Sequence, residues 1–115
     1  MRINLLCIGK TDDKEINSLI SYYLTRLPKH WNFEIIEIPD IKNAKNLSPD
    51  LLKKEEAKLF QNHIDKNDWV AILDEKGKQF TSREFSQKID GWMNASVKKI
   101  PILIGGAYGF SDEIY

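Results

Sequence analysis

The chain has 115 residues, of which 42% are hydrophobic and 30% are charged, a balance typical of one globular domain and not of a disordered segment. Its 17 basic side chains equal its 17 acidic ones, which excludes nucleic-acid binding driven by a large overall positive charge, although a local basic face stays open. The single cysteine, Cys7, excludes an internal disulfide. The apolar start Ile3–Ile8 is too short for a signal peptide or a membrane span. We therefore expect a cytoplasmic protein with no membrane partner.

The first half of the chain contains two strand patterns and one helix pattern. Ile3–Ile8 predicts the first strand. Asp12–Leu27 predicts a helix, because its apolar residues recur at intervals of three and four and Asp12 stands at a capping position. Trp31–Ile38 predicts the second strand, and the polar, lysine-rich segment 40–47 after it predicts an exposed loop.

The second half repeats this alternation twice. Ser48 followed by Pro49 predicts the start of a second helix, and Thr81 with Glu84 forms a capping box that predicts the start of a third. Trp69–Leu73 and Ile100–Ile104 predict the third and fourth strands. Strands that alternate with helices predict an α/β fold, with a parallel sheet and helices on both of its faces. The patterns do not give the strand order.

Three glycines follow the fourth strand within five residues: Gly105, Gly106 and Gly109. In parallel α/β folds ligands bind beyond the carboxyl ends of the strands, so this loop is a candidate binding site. A turn after a buried strand also favours glycine when nothing binds, and both interpretations stay open from the pattern alone. Tyr108 and Phe110 are aromatic residues of the same loop, which either stack on a base or pack against the protein.

Five segments together resemble one family, although each alone would be a weak match: Met1–Lys10, Tyr22–Pro28, Phe33–Pro39, Leu73–Lys78 and Leu103–Gly109. On these segments the chain is similar to the RlmH-type ribosomal RNA methyltransferases of the SPOUT class. The resemblance implies a single SPOUT-like domain over residues 1–115, with an α/β-knot fold that is incomplete at the C-terminus. Family members continue for some tens of residues past the position of Tyr115, and we therefore expect the chain as given to be inactive.

The resemblance also implies an activity and its site. The implied reaction transfers a methyl group from S-adenosylmethionine to N3 of a pseudouridine in 23S ribosomal RNA of the assembled ribosome, and the implied enzyme is a homodimer that uses no metal. Leu73 and Gly105 correspond to residues that line the methyl-donor pocket in the family, and Gly106 is adjacent to them. No catalytic residue is assigned. Asp74 and Glu75, after the third strand, are either a solvated turn or charges near the acceptor.

Two alternatives differ from the methyltransferase interpretation in class. The first is a non-enzymatic α/β module that uses the glycine loop to bind a nucleotide or a protein. The second is a flavodoxin-like cofactor domain, which the chain disfavours because its first strand lacks the serine- and threonine-rich phosphate loop of that fold. Binding of S-adenosylmethionine separates the methyltransferase from both alternatives.

Overall fold

The structure, a computed structural model, describes residues 1–9, 12–42, 44–106, 109–112 and 114. In this part of the chain, strands and α-helices alternate in the predicted order. Their bounds are β1 (Arg2–Ile8), α1 (Lys14–Leu24), β2 (Phe33–Ile38), α2 (Pro49–Gln61), β3 (Ala71–Leu73), α3 (Ser82–Asn94) and β4 (Lys99–Ile104). None of the described helices is long and apolar enough to cross a membrane.

The strands form one parallel sheet in the order β2-β1-β4-β3. At its centre Leu5 of β1 pairs with Ile35 of β2 on one side and with Ile102 of β4 on the other. The predicted parallel α/β fold is therefore confirmed. The connection from β1 leads to β2, on one side of the sheet, whereas β3 and β4 are neighbours on the other side. The connections therefore lead in opposite directions on either side of the boundary between β1 and β4. In open α/β sheets this point of divergence is where ligands bind.

Helices cover both faces of the sheet, as predicted. On one face Phe60 of α2 packs against Leu6 and Leu103, and all three side chains are almost fully buried. On the other face Trp92 of α3 packs against a cluster that contains Ile3 and Ile100. Two apolar layers therefore hold the central strands β1 and β4 in place and fix the positions of the loops that follow them.

Helix α1 forms as predicted, but with a shifted cap and an exposed apolar stripe. Asp13, one residue after the predicted Asp12, is the N-cap, and its Oδ1 accepts hydrogen bonds from the backbone amides of Glu15 at 2.8 Å and Ile16 at 3.2 Å. No residue of the helix is buried. Its apolar side chains instead border an open groove of about 270 Å³ against β2.

Strands β2 and β3 are shorter than predicted. Trp31, the predicted start of β2, closes a 3-10 turn, and Asn32 follows it in the left-handed region with φ of 49°, so the ladder can begin only after it. In β3 the ladder begins at Ala71, and the predicted first residue, Trp69, makes only one long hydrogen bond of 3.4 Å to the carbonyl of Lys99.

Candidate functional site

The candidate site lies at the edge of the sheet where the strands end. Gly9 follows β1, Asp40 comes shortly after β2, Asp74 follows β3 and Gly105 follows β4. All four strands are parallel, so their carboxyl ends meet at one edge, which we call the carboxyl edge. The edge therefore combines two glycines at the central strands with carboxylates at the outer strands.

A cavity of about 330 Å³ opens at the carboxyl edge beside β3 and β4. Its wall contains all three residues that the resemblance assigns to the methyl-donor pocket, Leu73, Gly105 and Gly106. Leu73 is 52% exposed, so its side chain belongs to the cavity wall and not to the core of the sheet. The volume lies at the lower end of the range that small-molecule sites occupy.

Close packing requires Gly105 and Gly106, whereas backbone conformation requires Gly109. Only Gly109 of the three has a positive φ, of 81°, and its amide donates a hydrogen bond to the carbonyl of Gly106 at 3.1 Å. A Cβ on Gly105 would lie 3.2 Å from Cζ of Phe110. Phe110 is itself buried and packs against Phe60, which confirms the packing interpretation of this aromatic residue. Ala107 and Tyr108 lie outside the described residues.

Gly106 is pressed against a buried carboxyl group that the sequence analysis missed. Glu56 of α2 is 6% exposed, and its Oε1 lies 2.9 Å from the position that a Cβ on Gly106 would take. Burial raises the pKa of Glu56, and the negative charge of Asp40 raises it further. The sequence does carry a signal for this residue, because Glu56 lies midway between Leu52 and Phe60 on the apolar stripe of α2, where a charge is unusual.

A second glycine at the carboxyl edge lies against a second carboxyl group. Gly9 has φ of 82°, and a Cβ there would lie 2.7 Å from Oδ1 of Asp40. The two carboxyl groups, Asp40 beside Gly9 and Glu56 beside Gly106, are close enough for Asp40 to affect the protonation of Glu56. The point where the connections diverge, between β1 and β4, thus has two neighbouring carboxyl groups on the α2 side, each beside a glycine.

Asp74 and Glu75 form the turn that one interpretation predicts, while the other, charges near the acceptor, stays a prediction. They begin a tight turn, in which the Asp74 carboxylate accepts a hydrogen bond from the Lys76 amide at 3.3 Å and the Asp74 carbonyl accepts one from the Gly77 amide at 3.0 Å. Both residues also line the 330 Å³ cavity. The turn therefore holds carboxylates in the cavity wall.

A larger cavity, of about 540 Å³, lies between β3 and α3, with Phe80, Phe85 and Trp92 in its wall. We assign the site to the smaller cavity because that one lies at the carboxyl edge, where glycines bring the backbone within reach of a ligand. Among the described residues there is no group of three or more histidine, cysteine, aspartate or glutamate side chains placed to hold a metal ion.

The whole chain matches one family model, described as "Predicted SPOUT methyltransferase", over residues 1–115. It is also similar over its full length to proteins named "Ribosomal RNA large subunit methyltransferase H". Those of Christiangramia forsetii, Cytophaga hutchinsonii and Flavobacterium johnsoniae are 46%, 47% and 44% identical, and the chain covers 73%, 74% and 73% of their lengths. With its parallel α/β fold and full-length match, the chain belongs to the SPOUT methyltransferase family.

Proposed function

We propose that this protein transfers a methyl group from S-adenosylmethionine to ribosomal RNA of the large subunit. Its family supports methyl transfer, and the name shared by its relatives supplies the class of acceptor. The observation that carries the proposal is the cavity at the carboxyl edge, because Leu73, Gly105 and Gly106 lie together in its wall. We propose these three residues as the contacts of the methyl donor, within one methyltransferase domain over residues 1–115.

The residues of the cavity fit this cofactor. Leu73 and Ile104 are 52% and 39% exposed, and their side chains offer an apolar wall to an adenine ring. Gly105 and Gly106 present backbone without side chains beside that wall, which suits hydrogen bonds to a ring edge. When bound, the cofactor supplies a methyl group on a positively charged sulfur. The residues of this chain then act mainly by holding donor and acceptor at a reactive distance.

For the acceptor we propose N3 of a pseudouridine in 23S ribosomal RNA, on the assembled ribosome in the cytoplasm. The equal numbers of acidic and basic side chains support docking on a large preassembled particle, since tight binding of free RNA through its phosphates usually needs excess positive charge. A steep salt dependence of binding to an isolated stem-loop would contradict this part of the proposal.

We propose that the working form is a homodimer, as the resemblance implies. The exposed apolar side chains of α1, such as Leu19 and Tyr23 at 56% and 63% exposure, support association with a further apolar surface. Light scattering during gel filtration measures the mass directly. A single monomeric mass over a wide concentration range would contradict the dimer.

Titration calorimetry with S-adenosylmethionine tests the cofactor site. Leu73→Ala should weaken binding about fivefold, because it removes roughly 1 kcal/mol of apolar contact from the cavity wall. Leu51→Ala is the matched control, since Leu51 of α2 is also 52% exposed and lies outside the cavity wall; it should leave the affinity unchanged. Equal loss in both variants would contradict the assignment. Donor binding without transfer to large-subunit RNA would favour the non-enzymatic binding module instead.

A further inference from the structure

The wall of the 330 Å³ cavity is negatively charged. Asp74 and Glu75 line it directly, and Glu56 lies immediately behind Gly106, with its carboxyl group against that glycine. The described residues of the wall include no lysine or arginine. A ligand in the cavity therefore meets the Asp74 and Glu75 carboxylates directly and has Glu56 behind the backbone of Gly106. A positively charged ligand is favoured there over a neutral one of the same shape.

The surroundings of Glu56 and Asp74 restrict the positions of their carboxyl groups. Glu56 is 6% exposed, and it is confined between α2 and the glycine loop. The Asp74 carboxylate accepts a hydrogen bond from the Lys76 amide at the start of the turn. Charges that are already oriented interact with a ligand without a cost of reorganisation, so their effect on affinity is larger than that of mobile surface side chains.

The donor and the product of methyl transfer differ by one charge. S-adenosylmethionine has a positively charged sulfonium, and its amino and carboxylate groups cancel near neutral pH, which leaves a net charge of plus one. S-adenosylhomocysteine, formed when the methyl group has left, has a neutral sulfur and no net charge. The two molecules are otherwise nearly the same in shape.

We propose that Glu56 and Asp74 make the cavity selective for the positively charged donor over the neutral product. This inference rests on the proposed function, because it requires the donor to bind at the carboxyl edge. Loss of the sulfonium charge on transfer removes the attraction to both carboxylates. The same residues that favour entry of the donor therefore favour release of the product.

Titration calorimetry of the protein with both ligands, at low salt and at mildly alkaline pH, which favours the ionised form of Glu56, tests the proposal. The wild-type protein should bind the donor more tightly than the product. Glu56→Gln and Asp74→Asn should each weaken donor binding by about fivefold and leave product binding unchanged, as expected for one unit charge several ångströms away in a partly screened site.

The matched control is Glu55→Gln, which removes the same charge from the neighbouring position of α2. Glu55 is exposed, and its carboxylate pairs with Lys58 at 3.1 Å. This variant should leave the ratio of donor to product affinity at the wild-type value. An unchanged ratio in Glu56→Gln and Asp74→Asn overturns the proposal, and so does an equal loss for both ligands, which indicates an effect of shape. A wild-type protein that binds neither ligand contradicts the proposed function itself.

Discussion

The substitution Gly106→Ala tests why the second glycine of the loop is required. The φ of Gly106 lies outside the left-handed region, so an alanine meets no strain in the backbone. The added Cβ would instead lie closest to Oε2 of Glu56 and 2.9 Å from its Oε1, an approach that real Cβ atoms essentially never show. The Glu56 side chain must therefore move, although it is buried. Overpacking of this kind costs about 1 to 3 kcal/mol, and we expect about 1.5 kcal/mol here because only the end of a flexible side chain has to shift.

A double-mutant cycle isolates this contact. Gly106→Ala is measured in the wild-type chain and in a Glu56→Ala background, and the free energy of unfolding is obtained from urea titrations. Without the carboxyl group the alanine has no steric conflict with residue 56, and it restricts the unfolded chain more than glycine does. In that background we expect it to be neutral or to stabilise the protein by up to about 0.5 kcal/mol.

The result that would refute this reasoning is an equal effect of Gly106→Ala in both backgrounds. Such additivity would mean that the glycine is required for a reason unrelated to Glu56. A neutral effect in the wild-type chain would refute it as well, because it would show that the carboxyl group moves away at no cost.

Further predictions concern stability and activity. Lys99→Met should lower the free energy of unfolding by about 2 kcal/mol in urea titrations, because it leaves the buried Asp68 carboxylate without its ion pair at 3.1 Å. Lys58→Met is the control and should lower it by less than about 0.5 kcal/mol, because the ion pair of Lys58 with Glu55 is exposed. The pKa of Glu56 is raised in the folded state, so the folded protein holds this proton more tightly than the unfolded chain. The free energy of unfolding should therefore fall as pH rises from 4.5 through the raised pKa, and Glu56→Gln should abolish that part of the pH profile. Thr81→Ala should cost about 1 kcal/mol by removing the hydrogen bond from the Glu84 amide at the start of α3, and thermal melts at neutral pH measure it.

Features that depend on neighbouring residues in sequence were predictable. The capping box of Thr81 and Glu84 forms because both hydrogen bonds span three residues, at 3.1 and 3.2 Å. Ser48 caps α2 for the same reason, through a hydrogen bond from the Leu51 amide. Apolar patterns likewise predicted the four strands and three α-helices of the described residues, because burial of one face is a local requirement on the pattern.

Features that depend on packing between distant segments were not predictable in the same way. The strand order follows from how the helices cover the sheet, which no local pattern specifies. The proximity of Glu56 to Gly106 joins positions that are far apart in the chain, so the carboxyl group behind the loop was missed. Leu73 was assigned by family resemblance alone. Leu73 is the last residue of β3, a three-residue strand at the edge of the sheet, and this position leaves its side chain exposed. The length of β3 depends on the segment before it and on its contacts with β4.

The pairing of β1 with β4 has a consequence for how the chain acquires its structure. Arg2 pairs with Lys99, so the two central strands come from nearly opposite ends of the described chain. During synthesis β1 emerges well before β4, its neighbour on this side. Parallel pairs with such long sequence separation form slowly, because a large loop must close before any contact stabilises it. Until β4 is made, one edge of β1 stays unpaired even after β2 has joined its other edge, and an unpaired strand edge of this kind favours aggregation.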